Sequence, residues 1–372
     1  MQAVADPLRI LLTASGCPGA ATLIRTLKSI PDRAVTVIGA DMDDQAIGRF
    51  LCDDFCVVPP ASDPGYVEAM VDLVRELDPD VLFSQSSVEV PVLSEHIERF
   101  EALGTVVPIS RPEPIRIATD KYEMYETLRR DTDLVLPEYR LVHTLEEFRG
   151  AVCELGYPER PVCFKPPIAK GSRGFRILDA TIDRRTLLIN TKPNSRYMAL
   201  GEFVHIFEGA SDFPSFLVME YLEGMEYTTD PIALDGDMLL CTVKTVEAAR
   251  WGVIVKGQLV DRPELVEQTR EILRAIPLSY NVNIQFIGDK LIEINPRVSS
   301  FIYQPDLIAP YVAIRLALGE IDPADIRAQQ GQVRVGRRMV RYMDQLFWDL
   351  PEGKARSTGL NTLAMASGDD RE

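Results

Sequence analysis

Histidine is scarce in this chain. Three of 372 residues are histidines (His96, His143, His205), none sits in a motif, and each reads as structural. Chemistry built on a histidine base has little to draw on. A basic block is missing as well. With 40 Lys and Arg against 56 Asp and Glu, the formal net charge is −16. Such a field repels polyanions, so nucleic acid is not an expected partner. No apolar run approaches the roughly 18 residues a membrane span needs. Met1–Pro7 lacks the basic start and apolar stretch of a signal peptide, and the expected location is cytoplasmic with no membrane partner. The six cysteines (Cys17, Cys52, Cys56, Cys153, Cys163, Cys241) are scattered, and only Cys52 and Cys56 are close, with no histidine beside them. That does not make a zinc site, and free thiols in a reducing compartment are expected.

Two phosphate-binding signatures are also absent. Ser15-Gly16-Cys17-Pro18-Gly19 follows the first apolar run, where a dinucleotide fold would place G-x-G-x-x-G, but only Gly16 and Gly19 are present. No G-x-x-x-x-G-K-[ST] occurs anywhere, so the chain has no P-loop of the common type.

What is present is an ordinary globular balance, 46% hydrophobic and 26% charged, on a chain long enough for two or three domains. Residues 8 to 110 alternate apolar strands (Leu8–Ala14, Val35–Ala40, Cys56–Val58, Val81–Ser84, Val106–Ile109) with amphipathic helices (Gly19–Ile30, Tyr66–Leu77, Val88–Leu103). Buried strands alternating with helices imply a parallel sheet covered on both faces. Ser110-Arg111-Pro112-Glu113-Pro114 breaks that rhythm and marks a boundary. A helix over Ile115–Arg130 follows, then a smaller unit with a polar insertion at Asp183–Arg196. Strands dominate from Glu226 to Ile294 around a helix at Glu264–Arg274, and a further helix spans Leu307–Leu318. Past Pro351 the chain turns small and polar and is expected to fray.

Three segments can carry chemistry. Val162-Cys163-Phe164-Lys165 is a strand ending in a lysine that faces away from Phe164, followed by a loop with Gly171 and Gly174 whose backbone can approach phosphate oxygens. Phe216–Leu222 is an apolar strand running into a bend, where free backbone groups can pair with a base edge, with Glu226 just beyond. Asn283-Ile284-Gln285-Phe286 and Leu291-Ile292-Glu293-Ile294-Asn295-Pro296-Arg297 read as a β-hairpin. Burying both apolar sets on one face pairs Phe286 with Ile292 and Ile284 with Ile294, and sets Gln285 beside Glu293, with three or five residues around Gly288-Asp289 as the turn. One carboxylate and neighbouring amide oxygens then converge, a hard-oxygen set suited to Mg²⁺ that keeps waters and binds substrate phosphates.

In this order and spacing, Asp120-Lys121, Phe164-Lys165 with Gly171-Ser172-Arg173-Gly174, Met219–Glu226 and Gln285…Glu293-Ile294-Asn295-Pro296-Arg297 resemble the ATP-grasp superfamily over residues 8 to 320. The resemblance is to a single module of the large chain of carbamoyl phosphate synthase. It implies an α/β and α+β protein: a Rossmann-like parallel pre-ATP-grasp domain over residues 1–111, then an ATP-grasp domain over 112–330. The latter would comprise a lid at about 138–222 and an antiparallel-sheet C-subdomain, and residues 331–372 would be a C-terminal extension. By the same resemblance Lys121, Lys165 and the backbone of Gly171, Ser172 and Gly174 would hold ATP phosphates. Glu220 and Leu222 would read adenine and Glu226 the ribose. Gln285, Glu293 and Asn295 would hold Mg²⁺ (or Mn²⁺). Arg297, with Lys165, would act in catalysis. Arg297, Ser299, Lys244 and Arg250 would face the acid.

The implied reaction activates a small carboxylic acid with ATP as an acyl phosphate and joins it to an amine, releasing ADP and phosphate, without a protein nucleophile or a histidine. Partners are then the small acid and amine, and a homodimer is compatible with the sequence. A full carbamoyl phosphate synthase carries two such modules, which this chain lacks, so carboxyphosphate or carbamoyl-phosphate chemistry is the secondary reading. A non-catalytic nucleotide sensor or an NAD-dependent enzyme is the reading from another class.

Overall fold

A computed structural model describes residues 6–169, 173–191, 196–250, 252–299 and 306–348. Two compact units result, Met1–Arg341 and Tyr342–Glu372, and the described residues 342–348 of the second carry neither helix nor strand.

The chain begins with β1 (Leu8–Thr13), α1 (Ala20–Lys28), β2 (Val35–Asp41), α2 (Gly48–Leu51), β3 (Asp54–Val57), α3 (Tyr66–Leu77) and β4 (Val81–Ser84). The four strands form one parallel sheet in the order β3-β2-β1-β4. The order reverses between β1 and β4, which makes their carboxyl ends the crevice where such sheets bind ligands. The apolar run expected as one helix from Val88 to Leu103 is instead α4 (Glu89–Ser94) and α5 (Ile97–Glu101). His96 leaves helical geometry between them, at φ −127° and ψ 16°. Val106–Ile109 is not a full strand; Val106 alone bridges to Val81.

The helix expected over Ile115–Arg130 is likewise two, α6 (Pro112–Thr119) and α7 (Lys121–Asp131). Asp120 divides them. Its backbone is extended, and its carboxylate accepts from the N–H groups of Tyr122 at 2.9 Å and Glu123 at 3.2 Å, an N-cap that starts α7 afresh.

A second sheet follows from β5 (Tyr139–Val142), β6 (Val162–Lys165), β7 (Arg176–Leu178), β8 (Tyr197–Met198) and β9 (Phe216–Glu220), in the order β5-β9-β6-β7-β8. Interspersed are α8 (Leu145–Glu154), α9 (Arg184–Asn190) and α10 (Leu200–Phe207). One sheet face packs Phe164 and Phe216 against Phe148 and Phe203 of α8 and α10, with the rings of Phe148 and Phe203 stacked at 3.8 Å. Period-two alternation turns Cys163 and Lys165 to the opposite face.

The third sheet is antiparallel and ordered β11-β10-β15-β16, from β10 (Glu226–Leu234), β11 (Asp237–Val246), β15 (Asn283–Ile287) and β16 (Lys290–Asn295), with β14 (Tyr280–Asn281) also on β10. A small sheet of β12 (Ala248–Arg250), β13 (Val253–Gln258) and β17 (Arg338–Val340) adjoins it, and α11 (Pro263–Ala275), α12 (Ala309–Ala317) and α13 (Pro323–Ala328) complete the elements named here. The core of the first sheet is finished from far along the chain: Val298 and, on α12, Tyr311 and Ile314 pack with Leu8, Ile10 and Leu12. Among the described residues no helix is long and apolar enough to cross a membrane.

The β15–β16 hairpin corrects one expected register. Ile284 does lie opposite Ile294 and Gln285 opposite Glu293, but Phe286 faces Leu291, not Ile292. Ile292 is the extra residue of a β-bulge, so Leu291 takes the core position, 2 % exposed. The bulge absorbs one residue and the turn shrinks to Gly288-Asp289, with Gly288 at φ 62°.

Candidate active site

One cavity of about 360 Å³ is walled by the second sheet, the β10/β15/β16 floor and the start of α4. On its floor the side chains alternate with the strands, and register places Glu226 and Thr228 of β10 in one row, Gln285 across from Thr228, and Glu293 across from Gln285. Two amides reach two carboxylates there. Gln285 Nε2 donates to Glu226 Oε1 at 3.4 Å, and Asn295 Nδ2 donates to Glu293 Oε1 at 3.1 Å. Burial pushes the Glu226 carboxyl above its ordinary range, and the Glu293 charge adds to that.

Two lysines stand over this floor. The buried Lys121, first residue of α7, places Nζ 3.8 Å from Glu293 Oε2 and donates to the carbonyl of Ala169 at 3.1 Å. Lys165, at the end of β6, donates to the carbonyl of Ile292 at 3.2 Å. Desolvation, reinforced by the like charge of Lys121, lowers Lys165 to about 8. Arg297 comes next in the chain after the floor residues. Its Nε donates to Ser87 Oγ at 2.7 Å, its fork also reaches the Val298 carbonyl at 3.0 Å, and the Asn295 amide oxygen lies at 3.5 Å.

Of the residues singled out from sequence, Lys121, Lys165, Glu220, Leu222, Glu226, Gln285, Glu293, Asn295 and Arg297 all line this cavity. Glu220 binds Lys290 through its carboxylate and gives its N–H to the Glu138 carbonyl at 3.0 Å. Its own carbonyl accepts from the Cys163 thiol at 3.6 Å, a weak donor.

Others are placed elsewhere. Lys244 is 1 % exposed and ion-paired with Asp230, whose second oxygen accepts from Asn283 at 3.1 Å. The expected acid-facing role of Lys244 is therefore corrected to that of a buried structural cation. Ser299 is buried outside the cavity lining, and Arg250 is exposed beside it; neither lines the cavity. Gly174 sits at φ 75°, where a Cβ would come within 2.6 Å of Pro166, so its glycine identity is set by the turn. Its neighbours Arg173 and Phe175 are what reach the cavity. Gly171 and Ser172 lie outside the described residues.

Sequence reasoning missed Arg196 and Ser87, both cavity residues. Arg196 was hidden in a polar stretch read as surface, although it immediately precedes β8. Ser87 closes Ser84-Gln85-Ser86-Ser87 at the carboxyl end of β4, and the reversal of strand order there was the available signal.

Two family models match the chain: one described as "PylC-like, N-terminal domain" over residues 10–108, and one described as "ATP-grasp in the biosynthetic pathway with Ter operon" over residues 212–339. The chain has an ATP-grasp fold. Solved ATP-grasp structures superpose over most of it. The biotin carboxylase domain of Hydrogenobacter thermophilus 2-oxoglutarate carboxylase, crystallised with MgADP and bicarbonate, aligns over 84% of this chain and 70% of its own, at 17% identity and TM-score 0.60. Phosphoribosylglycinamide synthetase from Anaerococcus prevotii covers 90% of this chain and 80% of its own, at 18% identity and TM-score 0.59. The ADP complex of N5-carboxyaminoimidazole synthetase from Staphylococcus aureus covers 86% and 80%, at 13% identity and TM-score 0.58. At these identities the likeness is one of ATP-grasp architecture.

The ATP-grasp floor fits a divalent cation by the chemistry of its donors. Glu226 and Glu293 oppose one another electrostatically, and the amides that now donate to them can turn their oxygens inward instead. Among the described residues no three carboxylate, imidazole or thiol groups cluster. An ion here would draw on mixed oxygens and on substrate phosphates, the habit of Mg²⁺.

Proposed function

We propose that this protein is an ADP-forming carboxylate–amine ligase. The observation that carries the reading is the convergence of Lys121 from α7, Lys165 from β6, Glu293 and Asn295 from β16, and Arg297 from the segment after β16 on one cavity. Lys121 and Lys165 would neutralise the transferring phosphoryl group, and Arg297 would clamp the acid through paired hydrogen bonds. Mg²⁺ held by Glu293, Asn295 and Gln285 would add charge neutralisation at the phosphates.

In this scheme a carboxylate oxygen attacks the γ-phosphorus of ATP, the bond to the β-phosphate oxygen breaks, and ADP leaves. The amine nitrogen then attacks the acyl carbon. The C–O bond to phosphate breaks, and the nitrogen's surplus proton goes to the departing phosphate. Positioning and charge do the work, which suits a chain with three histidines. The sheet spanning residues 139–220 would be the lid that closes over ATP, Glu220 and Leu222 would present backbone groups to adenine, and Glu226 would hold the ribose. Support comes from the MgADP and ADP complexes of the structural neighbours. The same biotin carboxylase domain is described as a dimer, which supports a homodimer here.

The test is ADP and phosphate release across pooled carboxylic acids and amines with Mg²⁺ or Mn²⁺, with product masses read out. Release that needs both an acid and an amine supports the ligase. Tight nucleotide binding without release under any combination refutes it.

A further inference from the structure

The ligase reading leaves the acid undefined, and the cavity itself narrows the choice. Its charged lining residues come from α7 (Lys121), β6 (Lys165), β9 (Glu220), β10 (Glu226) and β16 (Glu293), with Arg173 ahead of β7, Arg196 ahead of β8 and Arg297 just after β16. Beyond Arg297 the wall changes character. Ser87 holds the Arg297 guanidinium, and one turn on, Val90 and Pro91 of α4 enter the lining. Val246 lies across from Glu226 in the β10–β11 register, so the wall turns apolar where the Glu226 row ends. Ala249 and Ile254 face one another across β12–β13 and close the far side. Arg341 ties that side to the first sheet's layer, donating to the Ile254 carbonyl at 3.4 Å and to Thr22 of α1 at 2.8 Å. Strand alternation turns Arg250 away from Ala249, consistent with its absence from the lining.

Resting on the ligase reading, we propose that the acid is a monocarboxylate carried on an apolar body, its carboxylate on Arg297 and its body against Val90, Pro91, Val246, Ala249 and Ile254. One guanidinium satisfies one carboxylate. A second carboxylate, or a hydroxyl-rich body, would give up water against the buried side chains of Val90 and Ile254, which offer it no hydrogen bond.

The experiment is calorimetric titration of the full chain, with Mg²⁺ and ADP present, using 4-methylpentanoate, 3-phenylpropionate, succinate and glycolate. The Ala249→Phe variant is titrated alongside. Ala249 is an exposed strand position that accepts an aromatic side chain without disturbing the core. The two apolar acids should bind at least tenfold tighter than the two polar ones. Ala249→Phe should weaken the apolar acids at least tenfold while ADP affinity stays within twofold. A preference for succinate or glycolate overturns the proposal, as does apolar-acid binding that Ala249→Phe leaves unchanged, or no binding of any of the four. Binding of the apolar acids without phosphate release in any amine pool would instead sustain the acid class and count against the ligase.

Discussion

The Lys165 ammonium rests on the carbonyl oxygen of Ile292, 3.2 Å away, and that carbonyl is turned to it because Ile292 is the extra residue of the β16 bulge. The Tyr125 hydroxyl reaches the same oxygen at 3.3 Å and that of Leu291 at 3.0 Å. A local fault in one ladder thus joins α7, β6 and the floor strand at the phosphate end of the cavity. Lys165→Ala should lower ATP affinity roughly ten- to a hundredfold, the loss of a charge-assisted contact of about 1.5–3 kcal/mol. Calorimetry showing unchanged affinity would refute this placement of the phosphates.

Lys165 also predicts a proton signature. Its ammonium titrates near 8 in the free protein because burial and Lys121 both disfavour the charge. Phosphates beside it favour the charge, so nucleotide binding near pH 8 should take up protons, and affinity should fall as pH rises further. Titrations in two buffers of different ionisation enthalpy measure the uptake. Identical apparent enthalpies in both would contradict it.

Glu293 faces the cavity, not the core, and is partly exposed. Glu293→Gln should keep the ligand-free melting temperature yet cut turnover by about two orders of magnitude or more, the scale of losing one charged metal ligand. Equal turnover of both proteins at saturating Mg²⁺ would remove Glu293 from the metal set.

Ser87 orients Arg297 from another part of the fold through a single 2.7 Å contact. Ser87→Ala should cost about 1 kcal/mol in the acid's kcat/KM, roughly fivefold, and leave ATP affinity alone. Arg297→Lys should lose far more acid-dependent phosphate release, because lysine cannot reproduce the fork. If ATP binding collapses in either variant, the acid clamp lies elsewhere.

The buried Lys244–Asp230 pair predicts a stability effect and no substrate effect. Desolvation disfavours the lysine's charge, and Asp230 supports it. Lys244→Ala should destabilise by about 3–5 kcal/mol by stranding the Asp230 carboxylate, and Lys244→Met with Asp230→Leu should recover much of that loss. Denaturant melts of the three proteins decide it. A single variant that melts normally but loses acid binding would restore Lys244 to the site.

Much of this was legible from residue order. The alternation of β1 to β4 with their helices, and the lysine turned away from Phe164, follow from periodicity alone. The Gln285–Glu293 pairing followed from requiring one buried face. The bulge at Ile292 was not legible, because Leu291 and Ile292 are both apolar and either can fill the core position. The split at Asp120 had its signal in an N-capping aspartate, overridden by the helical pattern on both sides. Lys244 misled because a lysine among β-strands looks like a ligand residue until its carboxylate partner, fourteen positions earlier on the paired strand, is in view.

The core of the first sheet also has a consequence in time. Its strand residues Leu8, Ile10 and Leu12 are synthesised well ahead of Val298, Tyr311 and Ile314, which cover part of their apolar face and follow roughly three hundred residues later. At about 5–20 residues per second that interval is roughly 15–60 s on the ribosome. For that span Leu8, Ile10 and Leu12 lack their final neighbours, and the nascent chain offers holdase chaperones an apolar surface that the finished protein does not display.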